Sequence, residues 1–259
     1  PAPNTSTLRW WDPRRRSPPV LSTRSALPVL TRGPRDPSSG RERGVMAGAS
    51  LIPPYPMLTA ITLPQQQVAA RQGDVVTLQG HNLEGSNIRV RFDNPRLADQ
   101  IELALGNNAN GERINVTLPN NPAAHTAWPP GGWHITVVLQ RPGETTDRST
   151  NSLPLLLAAT LDIPGSTAVR DAGSGAVTLT LVFTPEARPG QKVSLKAGGH
   201  EAAPDNLTTQ TGTLDFIFRE LAAGPQWLRL RVDGADSLLV DRSATPPQFD
   251  ITQRMNIPV

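Results

Sequence analysis

The feature that most constrains this chain is its spacing of short alternating strands. From Met57 onward the sequence reads as two consecutive sets of such strands, each about 100 residues long, with turn residues between the strands. Alternation of apolar and polar residues is typical of strands that pack one face on a core. The pattern predicts an all-β chain of two tandem Ig-like β-sandwiches, over residues 57–158 and 159–259, after a disordered Pro/Arg-rich leader or linker over residues 1–56.

Two segments carry the alternation most clearly. In residues 88–92 every second residue is apolar and the residues between them are arginines, so Ile88, Val90 and Phe92 should face a core. Residues 177–183 alternate in the same way. The Asn- and Gly-rich segment 107–111 predicts a hairpin turn with positive φ at Asn and Gly, and Asp233-Gly234 predicts a tight hairpin turn. We also predict a strand over residues 237–240.

A short internal echo accompanies the strand pattern. Residues 71–78 have the form Arg-x-Gly followed by an alternating strand, and residues 188–195 repeat that form. A repeated turn and strand fits duplicated Ig-like modules. The echo is therefore either a trace of duplication or a coincidence between two short segments.

The charge is unevenly distributed along the chain. Residues 1–50 contain nine Arg and three acidic residues, whereas residues 51–259 contain 16 basic and 19 acidic residues. The sequence pI of about 10.1 therefore describes the leader. Its basic residues lie in a Pro-rich stretch without strand or helix periodicity, which does not predict nucleic-acid binding. No apolar run reaches the roughly 18 residues of a membrane span, so we expect neither a nucleic acid nor a membrane as a partner.

Residue types used in catalysis and metal binding lack the spacings that those functions need. The chain has no Cys, and His81, His125, His134 and His200 have no partners at metal-ligand spacing. The Gly-Ser-Gly sequence at residues 173–175 lacks the strand–turn–helix frame of a nucleophile elbow. Phosphate-binding and dinucleotide fingerprints are missing from the sequence. We therefore expect no enzyme activity, no cofactor and no metal, and we expect His134 to face the surface.

Trp128 and Trp133 are the candidate contact residues. They flank a Pro- and Gly-rich turn before a long strand, so exposed rings could contact a glycan or a protein. The alternative is structural: Trp133 fills the sandwich core and Trp128 covers its end. Trp227 holds the matching place in the second set of strands, which favours the structural interpretation for the second tryptophan of the pair.

Longer segments resemble known families. Residues 72–83, followed by Val90-Arg91-Phe92, resemble the opening of Ig-like domains of the plexin and transcription-factor type. A closer resemblance covers nearly everything after residue 23. Residues 23–34, 90–97, 150–157 and 231–242 look like segments of cap, or tail-terminator, proteins of bacterial phage-tail-like contractile injection systems, a family long described by a domain of unknown function.

The resemblance implies a non-enzymatic structural component. In that family an N-terminal α/β domain is expected to form a hexameric ring that closes the end of the sheath and tube, and Ig-like modules follow it. On this resemblance we expect that domain to be missing from the sequence, and residues 1–22 depart from the family pattern. A frameshifted or truncated gene product that retains the linker and the C-terminal accessory modules is therefore expected.

The resemblance also implies partners and a location. The partners would be sheath, tube or other cap subunits, and the location would be cytoplasmic assembly as part of a phage-tail-like particle that can be released. Without the ring-forming domain, the chain alone is expected to be a monomer. The alternative from a different functional class is a carbohydrate- or cell-surface-binding tandem Ig-like module.

Overall fold

The structure is a computed structural model that describes residues 55–204 and 207–259. The predicted leader, residues 1–56, lies outside the described residues except for its last two positions. Of the described residues, 55% lie in strands and 6% in helices. The prediction of an all-β chain built from Ig-like sandwiches is confirmed.

The first sandwich contains eight strands in two antiparallel sheets. Its elements are β1 (Met57–Thr62), β2 (Val75–His81), β3 (Gly85–Asp93), β4 (Ile101–Asn108), β5 (Arg113–Thr117), α1 (Pro122–Ala127), β6 (Gly131–Gln140), β7 (Asp147–Ser149) and β8 (Leu153–Leu157). One sheet has the order β1-β2-β5, and the other has the order β4-β3-β6-β7, with β8 also paired to β6.

The second sandwich repeats this arrangement. Its strands are β9 (Thr160–Arg170), β10 (Val177–Ala187), β11 (Val193–Ala197), β12 (His200–Ala202), β13 (Thr211–Phe218), β14 (Gly224–Val232), β15 (Ala235–Asp236), β16 (Val240–Asp241), β17 (Gln248–Phe249) and β18 (Arg254–Ile257). One sheet has the order β13-β10-β9, and the other has the order β12-β11-β14-β15, with β18 also paired to β14. The strands β9, β10 and β11 therefore take the places of β1, β2 and β3.

The last strand is split in both sandwiches, but the interruption differs in length. Between β7 and β8 lie only residues 150–152, whereas residues 237–253 lie between β15 and β18. That longer segment contains a small hairpin, β16–β17, and the 3₁₀ turn Ile251–Gln253. The second sandwich thus carries an insertion that the first one lacks.

Each sandwich encloses its own apolar core. One cluster of buried side chains runs from Leu58 to Leu157, and the other runs from Ala159 to Ile257. The predicted inward residues of β3 and β10 are all buried, because alternate residues of a strand point to one face of its sheet. The predicted alternation in both segments is confirmed.

The predicted hairpin over residues 107–111 is wrong. The strand β4 pairs with β3, whereas β5 pairs with β2 in the other sheet, so the segment crosses between the two sheets. The asparagines support the crossing with local bonds: the Asn110 side chain accepts from the backbone N–H of Glu112 at 2.8 Å. The positive φ in this region belongs to Gly106, at 82°.

The echo marks a common turn type that occurs at two different positions of the sandwich. Gly73 and Gly190 both have positive φ, at 91° and 79°, as this turn requires. One turn precedes β2, however, and the other precedes β11, which takes the place of β3. The two sandwiches share their sheet order, but the echo does not align them.

Several elements escaped prediction. The strands β9 and β18 and the short helix α1 were not expected from the periodicity. The predicted strand over residues 237–240 is wrong, because residues 237–239 lie outside any strand and begin the insertion. The Asp233-Gly234 turn is confirmed: both residues have positive φ, at 43° and 86°, between β14 and β15.

Candidate functional site

The two tryptophans considered as contact residues lie in the core of the first sandwich. Trp128 is 4% exposed and Trp133 is 1% exposed. Their ring centroids are 5.0 Å apart, and Phe92 packs edge-on against both rings. The Trp133 Nε1 donates to the Pro129 carbonyl at 3.1 Å, so its polar group is satisfied within the turn. The buried rings agree with the structural interpretation, and the hypothesis that they contact a glycan or a protein is wrong.

Trp227 lies on the strand that matches β6 but faces the opposite way. Leu228 and Leu230 of β14 point into the core, so Trp227 lies on the outer face of the sheet. It is half-buried, and its ring packs against Phe249 with centroids 5.2 Å apart. The expectation that Trp227 is a structural counterpart of Trp133 is therefore wrong.

The helix α1 brings a polar edge of the first sandwich against the second. The Asn121 side chain caps the helix by accepting from the Ala124 N–H at 2.9 Å, and Pro122 starts its first turn. The helix ends where Trp128 enters the core. This leaves the Thr126 carbonyl free to accept from the second sandwich, namely from Arg188 Nη2 at 3.1 Å and from Gln210 Nε2 at 2.7 Å.

Gln191 lies at the centre of this contact, which we call the joint. The joint comprises Arg96, Thr126 and Pro130 of the first sandwich and Arg188, Gln191, Gln210 and Asp233 of the second. Gln191 is buried, and its Nε2 donates to the Pro130 carbonyl at 2.7 Å and to Asp233 Oδ2 at 3.1 Å. Its Oε1 accepts from the Arg188 backbone N–H at 2.8 Å. One side chain thus ties two turns of the second sandwich to the first.

Asp233 is the charged member of the joint. Its Oδ1 accepts from the Lys192 backbone N–H at 2.8 Å, and its Oδ2 accepts from Arg96 Nε at 3.2 Å. Burial alone would raise the pKa of Asp233, but donation from Lys192, Gln191 and Arg96 outweighs it and lowers the pKa. The carboxylate therefore stays ionised, and it joins residues that lie 137 positions apart in the sequence.

A glycine allows the two sandwiches to approach closely. Gly131 has a φ of +125°, and a Cβ at this position would lie 3.2 Å from the Cβ of Asp233. Another residue would be strained in this backbone conformation and crowded by Asp233. The turn that places Trp133 in its core thus also permits the close approach of Asp233 to the first sandwich.

The chain segment that connects the two sandwiches is very short. Only Ala158 and Ala159 separate β8 from β9, and both are buried. The Ala158 N–H donates to the Ala70 carbonyl at 2.7 Å, and the Ala70 N–H donates to the Leu156 carbonyl at 2.8 Å. The connection is therefore fixed to the first sandwich by backbone hydrogen bonds, unlike a flexible Gly/Ser linker.

The histidines considered in the sequence lie apart from one another. His81 ends β2 and His200 begins β12, while His125 contacts Asn120 within the helix region. His134 is exposed on β6, as predicted. Within residues 55–204 and 207–259, no group of three or more His, Cys, Asp and Glu side chains is arranged to hold a metal ion. Over the same ranges, no helix is long and apolar enough to cross a membrane.

One family model matches part of the chain. It is described as a domain of unknown function (DUF8756), and it matches residues 158–254. The match begins at the connection between the sandwiches and ends in β18, so it covers most of the second sandwich. No curated protein matches the chain.

Solved structures with similar folds are remote in sequence. A two-domain fibronectin type-III segment of chicken tenascin is 8% identical with a TM-score of 0.34, covering 77% of this chain and 98% of that one. A bacterial integrin-binding invasin is 18% identical with a TM-score of 0.25, covering 78% and 39%. A Bacteroides ovatus glucan-utilisation protein, SGBP-B, solved with a mixed-linkage heptasaccharide, is 12% identical with a TM-score of 0.24, covering 78% and 45%.

No pattern in the amino-acid sequence predicted the joint. Its residues come from five separate segments, around positions 96, 126–130, 188–191, 210 and 233, and each segment is locally ordinary. The sequence indicated only that Gln191 and Asp233 lie in tight turns, because each of them is next to a glycine. A turn residue that also bonds a distant partner leaves no periodic pattern, so only the folded arrangement reveals the site.

Proposed function

We propose that this chain is a non-enzymatic structural component: the C-terminal Ig-like accessory modules of a cap, or sheath-terminator, protein of a phage-tail-like contractile injection system. Its partners are sheath, tube or other cap subunits of the particle. The assembly forms in the cytoplasm and can be released. In this role the two sandwiches act as one arm that holds a fixed geometry on the particle.

The observation that carries the proposal is the joint. Two sandwiches that only bind ligands independently can be linked by flexible chain, whereas an arm in an ordered particle needs a defined angle between its parts. Here a two-residue buried connection, a buried glutamine and an ion pair all constrain that angle. The constraint supports a structural role for the pair.

Two of the segments that resemble the cap family also support the proposal. Arg96 lies in the segment 90–97 and Asp233 lies in the segment 231–242, and both segments resemble the cap family. Although distant in sequence, they meet in the Arg96–Asp233 ion pair. If the segments are characteristic of the family, then the joint between the sandwiches is characteristic of it as well.

Particle purification tests the proposal. The gene receives an epitope tag in its own host, particles are sedimented, and the tag is located by immunogold electron microscopy. We expect label at one end of the particle, with none on particles from an untagged strain. A tagged protein that remains entirely in the soluble fraction while particles sediment would contradict the proposal. Sheath, tube and baseplate genes beside this gene would support it independently.

A further inference from the structure

The outer surface of the larger sheet in the second sandwich carries a row of cations. Arg229 and Arg231 alternate with core residues along β14, so both face outward, about 7 Å apart. Lys196 of β11 lies opposite Arg229, and Arg254 of β18 lies opposite Trp227. We call this surface the basic face: it comprises Lys196, Trp227, Arg229, Arg231 and Arg254.

Two carboxylates lie among these cations and orient them. Asp236 accepts from Arg231 Nε at 2.6 Å and also from the Arg229 guanidinium, while Glu201 lies 3.5 Å from Lys196. The arginine side chains remain 42% and 43% exposed, so N–H groups are still available to a ligand. Four cations and two carboxylates leave the surface with an excess of two positive charges.

The first sandwich shows that this excess is not a general property of the fold. On its larger sheet, two arginines of β3 also face outward with the same spacing. Arg89 pairs with Asp147, and Arg91 pairs with Glu102, so each arginine has its own carboxylate. Of the outer faces of the two larger sheets, the one in the second sandwich therefore has an excess of positive charge, and the arginines of β3 in the first sandwich do not.

The insertion adds an aromatic ring to the same surface. Phe249 of β17 is 57% exposed and packs on Trp227, whose other neighbour is the Arg254 guanidinium at 5.8 Å from the ring centroid. The segment between β7 and β8 is too short to supply such a ring in the first sandwich. The insertion thus places an open aromatic ring beside the row of cations.

We propose that the basic face, together with Phe249, binds an acidic polysaccharide through the carboxylates of its uronic sugars. Guanidinium groups that are already oriented suit planar carboxylates, and the open ring suits the apolar face of a sugar. The carboxylates of Asp236 and Glu201 can accept hydrogen bonds from sugar hydroxyls. The phosphates of a nucleic acid have no hydrogen-bond donors for these carboxylates, whereas sugar hydroxyls do, which favours the glycan as the occupant.

Calorimetric titration of the full chain tests the site. The probes are an oligogalacturonate of defined length and, as a neutral control, a dextran oligomer of equal length. We expect binding of the oligogalacturonate only, and it should weaken as salt rises. The variant Arg229→Gln/Arg231→Gln should bind about tenfold or more weakly, the size expected for a lost charge-assisted hydrogen bond. Arg89→Gln/Arg91→Gln, on the matched surface, should bind like the wild type.

A second variant separates binding from folding. Phe249→Ala removes a largely exposed ring and leaves the ion pairs intact, so it should weaken binding while the chain still unfolds in one cooperative thermal transition. The proposal is overturned if the oligogalacturonate binds no better than dextran, or if the arginine and phenylalanine variants bind like the wild type. Tighter binding of a poly-L-glutamate or an oligothymidylate of equal charge would likewise overturn it. None of these outcomes depends on whether the chain belongs to a contractile particle.

Discussion

Gln191 shows how one side chain can couple two sandwiches. Its amide uses both its donor and its acceptor groups, and its partners lie on both sides of the joint. A buried amide in this position cannot be replaced by an apolar residue without leaving the Pro130 carbonyl and the Arg188 N–H unpaired. Unpaired buried polar groups are costly, because they have given up water without a replacement.

Substituting this residue should therefore destabilise the chain. We expect Gln191→Ala to lower the free energy of unfolding by about 1–3 kcal/mol, measured by urea denaturation. Gln100 is exposed and lies on the loop before β4, so Gln100→Ala should leave the unfolding midpoint unchanged. Equal midpoints for the two variants would show that the joint does not contribute to stability.

Asp233 makes the joint sensitive to acid. Its folded-state pKa is lowered, so its contribution to stability is present above the ordinary Asp range and is lost as pH falls through the folded pKa. We expect the thermal melting temperature to fall as pH drops through about 4, close to the pKa of a free Asp. Asp233→Asn should remove part of that pH dependence, and Asn tolerates the positive φ at this position. An unchanged acid profile in the variant would contradict this assignment.

The matched strands β6 and β14 illustrate how a single register shift changes the role of a residue. Trp133 faces the core of the first sandwich, whereas Trp227, one position out of phase, faces outward. Because strand side chains alternate, an offset of one residue exchanges the buried and exposed faces. Similar sequence around the two tryptophans therefore conceals opposite environments.

Truncation of these tryptophans should reveal the difference. We expect Trp133→Ala to cost about 3–5 kcal/mol of unfolding free energy, the range for a large aromatic removed from a core. Trp227→Ala should cost clearly less, because its ring is only half-buried. The measurement is chemical denaturation followed by far-UV circular dichroism. Equal losses for the two variants would contradict the assignment of Trp227 to the outer face.

The sequence predicted local features better than distant ones. The periodicity of β3 and β10 is local, and the burial of their alternate residues followed directly from it. The crossing after β4 escaped prediction because a turn sequence does not specify which sheet receives the next strand. The strand β18 escaped because the insertion separates it from β15. The joint and the basic face depend on pairing between distant strands, which no window of sequence contains.

Residues 55–204 and 207–259 belong to one compact unit that contains both sandwiches. Most large apolar side chains of the described residues are buried in the two cores, and the outward positions are largely polar. Stable oligomer interfaces usually bury more than about 1,200 Å² in total and have an apolar centre. We therefore expect the chain alone to elute as a monomer of 27.8 kDa in size-exclusion chromatography with light scattering. A stable hexamer would contradict this expectation and would show that these sandwiches can form a ring by themselves.

The contacts of the joint should fix the angle between the two sandwiches. The chain has no native Cys, so two introduced cysteines can be spin-labelled without background. Thr117 on β5 and Ile217 on β13 are both exposed and lie on opposite sides of the joint, one in each sandwich. Pulsed electron paramagnetic resonance then reports the distribution of distances between the two labels.

At neutral pH we expect one narrow distance distribution between labels at residues 117 and 217. Adding Gln191→Ala and Asp233→Asn should broaden that distribution, while each sandwich keeps its strand signal in circular dichroism. A broad distribution in the chain with an intact joint, unchanged by the two substitutions, would contradict the claim. It would mean that the sandwiches move independently about the Ala158-Ala159 connection.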